Sequence, residues 1–176
     1  MEKGYVQVYT GNGKGKTTAA LGQAFRAVGQ GMKVIVIQFF KGIPSGEMTA
    51  AQRLDPDMKI LRFERNKKFF WQLNEKEKKE LREDVQKALE YIMEVLNNHA
   101  CDMLILDEIM AAIHGELVSV DQVIQIIEAK PSSMELILTG RNVPREIAAR
   151  ADLVTEMKPV KHYYEKRVAA RRGIEY

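Results

Sequence analysis

A single cysteine, Cys101, stands in a chain of 176 residues, so no intrachain disulfide can form, and no second cysteine lies near it at a metal-binding spacing. It reads as a buried apolar residue beside a strand. Histidine is scarce as well: His99, His114 and His162 are too scattered for a metal cluster, and no Ser/His/Asp order suggests an acyl-transfer triad. No apolar run approaches the roughly 18 residues that cross a bilayer, and Met1 to Gly4 lead into Tyr5 to Tyr9 without a signal-type stretch. A cytoplasmic setting with no membrane partner is expected. Charge of one sign is lacking too, since 27 Lys plus Arg face 24 Asp plus Glu for a net +3. That balance suits an anionic ligand and falls short of a nucleic-acid footprint, so no nucleic-acid partner is expected.

What is present is ordinary globular material, 45% hydrophobic and 29% charged, which excludes collagenous, coiled-coil-only and largely disordered readings. No repeat, low-complexity tract or linker divides the chain, so residues 1–176 are expected to form one domain. Continuous β-branched runs at Val34 to Ile37, Met103 to Leu106 and Leu136 to Leu138 predict strands buried on both faces, with further strands at Tyr5 to Tyr9, Met58 to Phe63 and Leu153 to Met157. Helical spacing is clearest over Glu75 to Asn98, where Leu81, Val85, Ala88, Leu89, Ile92, Val95 and Leu96 make one stripe. Asn74 with Glu77 has the form of a capping box, and the charged face from Glu75 to Asp84 reads as solvent-exposed. Other helices are expected over Thr17 to Val28, Asp121 to Lys130 and Pro144 to Ala151. Alternating strands and helices predict an α/β fold, a mostly parallel sheet of about six strands flanked by helices.

The strongest chemical signal is Thr10-Gly11-Asn12-Gly13-Lys14-Gly15-Lys16-Thr17-Thr18, directly between the first strand and the first helix. Glycines let the backbone turn tightly and expose its amides, and the helix start adds unpaired N–H groups and a positive dipole end: a phosphate cradle. Lys16 is placed to reach phosphate oxygens and the Thr17 hydroxyl to ligate Mg²⁺. The strict motif has glycine where this chain has Thr10. Asp107 and Glu108 end a buried strand at the sheet edge where α/β folds bind ligands, and their hard oxygens suit Mg²⁺. Arg141, after another strand, can clamp a polyphosphate.

These segments, with Gln38-Phe39-Phe40-Lys41-Gly42, Thr139-Gly140-Arg141, Ala151 to Glu156, Pro159-Val160-Lys161-His162 and Gly173-Ile174-Glu175-Tyr176, resemble the ATP:corrinoid adenosyltransferases of the CobA, CobO and BtuR type along nearly the whole chain. The resemblance implies a RecA-like P-loop fold, usually homodimeric. It implies ATP and a reduced corrinoid (cobalamin, cobinamide or cobyrinic acid diamide) as substrates, Mg²⁺ as cofactor, and electrons from a flavoprotein or other reductase. Co(I) attacks C5′ of ATP and tripolyphosphate leaves, so Lys16 and Arg141 act as catalytic cations toward the leaving group. Gly11, Asn12, Gly13, Lys14, Gly15, Lys16, Thr17 and Thr18 would bind ATP. Thr17 and Glu108 would hold Mg²⁺ with Asp107 in support. Phe69 and Trp71 would wall the corrin, with Phe70 left unassigned.

Some members close the site with a basic N-terminal arm; here the first strand begins within a few residues of Met1. Closure is expected from the Lys41 to Glu47 loop or from the last segment, Lys158 to Tyr176. That segment carries six Lys or Arg against two Glu and reads, as a bare charge run, as a solvated end. Two other functions share these features. One is a RecA-like nucleic-acid-dependent ATPase; the other is a non-catalytic nucleotide-gated corrinoid chaperone.

Overall fold

The computed structural model describes residues 2–42, 44–65 and 72–176. Six strands, β1 (Val6–Thr10), β2 (Val34–Gln38), β3 (Met58–Leu61), β4 (Met103–Asp107), β5 (Glu135–Thr139) and β6 (Leu153–Glu156), form one sheet in the order β3-β2-β4-β5-β1-β6. Every pairing is parallel. The helices are α1 (Lys16–Val28), α2 (Gly46–Gln52), α3 (Glu75–Asn97), α4 (Ile109–His114), α5 (Val120–Ala129) and α6 (Arg145–Ala148), followed by a 3-10 turn at Tyr163–Lys166. No helix is long and apolar enough to cross a membrane.

The central strands are apolar at successive positions because both faces are covered, and period-two alternation sorts their side chains into two cores. Ile35, Ile37, Leu104, Leu106, Leu136 and Leu138 pack with α3, α4 and α5; Val34, Val36, Met103, Ile105 and Ile137 pack with the alanines of α1. The expected stripe of α3 is buried throughout, and Asn74 and Glu77 make both hydrogen bonds of the capping box.

Two elements escaped the sequence reading. Helix α2 has only seven residues and no apolar stripe; α4 has six, buried on most sides, and so shows no amphipathic period. Pro144 proved to be the N-cap of a one-turn α6 ending at Ala148 rather than the first helical residue. Asp84 corrects the expectation of an exposed charged face: it is 3% exposed, and its carboxylate accepts from the Arg65 amide and side chain, both at 3.0 Å. The stripe of α3 extends one residue beyond the apolar set because a buried charge with a partner is tolerated.

Candidate nucleotide site

In a parallel sheet all strands end at the same edge, so β1, β2, β4 and β5 deliver Thr10, Gln38, Asp107 and Thr139 side by side. With Lys16 and Ser45 these are most of the buried polar side chains among the described residues, and none has a buried polar atom without a partner. Concentrating polar groups in one buried place is costly unless they satisfy one another.

The phosphate loop occupies this edge. Thr10, the departure from the strict motif, remains in β1 opposite Glu156, and the turn falls to Gly11 at φ +98°. A Cβ on Gly11 would lie 2.5 Å from the Met157 carbonyl oxygen, so glycine is required both for the dihedral and for the approach of β6's exit. The Gly13 amide donates to that same carbonyl at 2.7 Å. Gly15 then caps α1, whose first residue is Lys16. The Lys16 ammonium is turned inward onto the Gly11 and Gly13 carbonyls at 2.7 and 2.9 Å. Burial lowers its pKa, against the raising influence of Glu108 and Asp107.

Asp107 is 1% exposed and fully engaged. Its Oδ1 accepts from the Thr17 and Thr139 hydroxyls at 2.8 and 2.7 Å, and its Oδ2 from Gln38 Nε2 at 3.1 Å. The Thr17 proton is thereby committed to Asp107, which leaves the hydroxyl's lone pairs available to a cation. Glu108 adopts the left-handed conformation (φ +61°) at the start of α4, its amide bonded to Thr139 Oγ1 at 2.9 Å. Burial raises its pKa and the Asp107 charge adds to this, while Lys16, Lys41 and Arg141 oppose it. These oxygens fit Mg²⁺, which keeps waters and shares substrate phosphates. No cluster of three or more His, Cys, Asp or Glu is present among the described residues, so a closed all-protein metal cage is not what this edge offers.

Gln38 and Arg62 were not recognised as site residues from sequence. Gln38 Oε1 accepts from Arg62 Nε and Nη2 at 2.9 and 2.7 Å, and Arg62 Nη2 also reaches Ser45 Oγ at 2.6 Å. Because guanidinium only donates, the amide oxygen must face Arg62 and the amide nitrogen Asp107. The usable signal was a polar Gln38 closing an otherwise apolar buried strand.

A cleft of about 630 Å³ opens here, lined by Asn12 to Thr18, Lys41, Glu47, Glu108 and Arg141, and on its outer side by residues between His162 and Tyr176. The cleft thus gathers every sequence-predicted phosphate and metal residue except Gly11 and Asp107, which accept hydrogen bonds from its lining residues Lys16 and Thr17. Phe69 and Trp71, the expected corrin contacts, and Phe70 lie outside the described residues.

The sequence model of the family described as ATP:corrinoid adenosyltransferase BtuR/CobO/CobP matches residues 2–176. A corrinoid adenosyltransferase of Escherichia coli K12 is 35% identical over 176 residues, covering 99% of this chain and 87% of its own. Corrinoid adenosyltransferase CobA of Salmonella typhimurium LT2 is 35% identical over 179 residues with the same coverages, and a corrinoid adenosyltransferase of a Sinorhizobium species is 34% identical over 180 residues, covering 99% and 81%. A phosphate loop on an all-parallel sheet is common to many proteins, but a match of this length is not, and the chain belongs to the ATP:corrinoid adenosyltransferase family.

Proposed function

We infer that this protein transfers the 5′-deoxyadenosyl group of ATP to the Co(I) centre of a reduced corrinoid. Family membership supports the reaction, and the nucleic-acid-dependent ATPase and the chaperone are not favoured by it. The structural observation that carries the reading is one cleft lined by the phosphate loop together with Glu108 and Arg141, backed by the Thr17–Asp107 hydrogen bond.

In this reaction the cobalt electron pair forms the Co–C5′ bond, the C5′–O bond breaks, and tripolyphosphate departs with that electron pair. No proton is transferred in the step, so no general base is needed. The requirement is a fixed set of positive groups around the leaving group. Lys16 and Arg141, both in the lining of the cleft, supply charge, and the loop amides and α1 N-terminus supply dipoles. Thr17 and Glu108, with Asp107 orienting Thr17, are the residues that would hold Mg²⁺. Bound there, Mg²⁺ would neutralise part of the polyphosphate charge.

Phe69 and Trp71 are proposed to contact the corrin and favour a cobalt without its lower axial ligand, which eases Co(II) reduction. Among the described residues that precede them in sequence, Glu64 accepts from the Phe40 amide at 2.7 Å and Arg65 pairs with buried Asp84. A single domain, a homodimer, a flavoprotein or other reductase as electron donor and a cytoplasmic setting complete the proposal.

The test is anaerobic mixing of the protein, MgATP and chemically reduced corrinoid. A light-sensitive alkyl-cobalt spectrum with stoichiometric tripolyphosphate is expected; unchanged corrinoid while ATP is bound would overturn the transferase reading. Trp71→Ala is expected to impair reaction from Co(II) far more than from pre-reduced Co(I), and equal losses would refute the role in cobalt coordination.

A further inference from the structure

The segment that closes the chain carries a cationic excess and is exposed on its outer side, yet it is folded back over the phosphate loop. The contact is specific. Lys14 Nζ donates to Glu175 Oε1 at 2.7 Å and to the Ile174 carbonyl at 3.2 Å, and it lies 5.9 Å from the centre of the Tyr163 ring. Glu175 is held a second time by Arg171, through its amide at 2.8 Å, Nε at 3.2 Å and Nη2 at 3.1 Å. The Arg171 guanidinium also covers the Tyr163 ring at 4.8 Å. Gly173 at φ +76° makes the turn that returns Glu175 toward Lys14. Four side chains from opposite ends of the sequence therefore form one closed cluster.

We propose that Lys14, Glu175 and Arg171 form a latch that fixes residues 162–176 as the outer wall of the nucleotide cleft, so that the Lys14 side chain positions this wall rather than binding phosphate. The inference rests on the reading of the cleft as the ATP site, and it refines the assignment of Lys14 within that site. Three observations carry it. Lys14 and Lys16 point in different directions, one to the wall and one into the loop. Both Glu175 carboxylate oxygens are engaged by Lys14 and Arg171, so the carboxylate is held as a member of the cluster. His162, Tyr163 and Tyr164 of the wall line the same cleft as the phosphate loop.

A single exposed ion pair adds little to global stability, so breaking the latch is to be read locally. The decisive experiment compares wild type, Glu175→Gln, Lys14→Glu and the exchange Lys14→Glu/Glu175→Lys. The exchange keeps two cations and one anion in the cluster. Trypsin cleavage after Lys166, Arg167, Arg171 or Arg172, the sites that all four proteins share, without nucleotide or corrinoid, reads the wall; ATP affinity by calorimetry and adenosyl-transfer kcat read its use. Expected for Glu175→Gln is cleavage about fivefold faster and ATP binding about fivefold weaker, the factor of about one exposed ion pair, with kcat at saturating ATP within about twofold. Lys14→Glu should be worse in both, and the exchange should recover part of each loss, because it restores the pair between positions 14 and 175 but gives up the Arg171 bonds to Glu175. The latch is overturned if Glu175→Gln leaves protection and affinity unchanged, or if the exchange binds ATP no better than Lys14→Glu alone, as a phosphate-binding lysine requires. Loss of the proposed transferase activity in the wild type would refute the function and leave the proteolysis result to decide the latch by itself.

Discussion

Lys14 and Lys16 are two residues apart, and the fold gives them different work. Lys16 is 7% exposed, and in the absence of an anion its ammonium is satisfied by two loop carbonyls. A phosphate arriving at the loop exchanges neutral acceptors for charged ones, and such bonds contribute more. Lys16→Ala is therefore expected to lower kcat/KM for ATP by roughly 10- to 100-fold, the range for losing a hydrogen bond to a charged group, and unchanged ATP kinetics would remove Lys16 from the phosphate site. Glu108 poses the opposite problem: burial and Asp107 make its charge unfavourable, which a cation at the same edge would relieve. Glu108→Gln should raise the Mg²⁺ concentration for half-maximal activity several-fold, and an unaltered Mg²⁺ titration would exclude it as a ligand. Cys101 is buried, and burial pushes its thiol up to about 12. Its neutral form is favoured in the folded state, so this contribution to stability is complete below the ordinary value of 9 and falls as pH rises toward 12. At pH 8 the native thiol should resist a thiol reagent that titrates it at once in denaturant; rapid native labelling would contradict this placement.

At the level of elements, the long helix was legible and the short ones were not, for one reason. Helix α3 carries six turns of periodic pattern and a capping box, each readable from local sequence. Removing the cap by Asn74→Ala should cost about 1 kcal/mol and lower Tm by about 2–4 °C in a chain of this size, measurable by calorimetry. Helices α2 and α4 exist because the strand ends before them place them against the sheet edge, and that cause is tertiary. The chain of contacts from Asp107 through Gln38 to Arg62 and Ser45 is likewise tertiary, joining β4, β2, the residue after β3 and the start of α2. Arg62 and Ser45 are unremarkable in sequence, and only parallel register puts Gln38 opposite Asp107. Replacing Arg62 by Met, similar in length but without donors, frees the Gln38 amide to rotate and loosens Asp107 behind Thr17. The expected result is a several-fold higher Mg²⁺ requirement with kcat largely recovered at saturating Mg²⁺. A uniform loss at every Mg²⁺ concentration would mean that Arg62 only supports the fold.

For the molecule as a whole, the proposed site is assembled from distant parts of the chain: the loop after β1, the ends of β4 and β5, and the wall formed by 162–176. Motif reading found the first three because each is a short pattern at a strand end. It named the last segment as one of two candidates for closure but could not find the contact that holds it, since Lys14 and Glu175 are separated by 161 positions and the charge run itself is ambiguous. A ligand that binds this assembly binds only the folded chain, so it must stabilise against unfolding by RT ln(1 + [L]/Kd). MgATP at about 100 times its Kd should contribute about 2.7 kcal/mol, and at roughly 2–4 °C per kcal/mol for a domain of this size Tm should rise by about 5–10 °C. The same scan separates the roles proposed for the two lysines. Lys16→Ala, if its affinity falls by the same 10- to 100-fold, should lose roughly half to five sixths of the shift at the ATP concentration that saturates wild type, since RT ln(1 + 10) is about 1.4 and RT ln(1 + 1) about 0.4 kcal/mol. Glu175→Gln, with a loss of about fivefold, should keep roughly two thirds of it, since RT ln(1 + 20) is about 1.8 kcal/mol. Equal shifts in all three proteins would mean that ATP binds away from the phosphate loop and its wall.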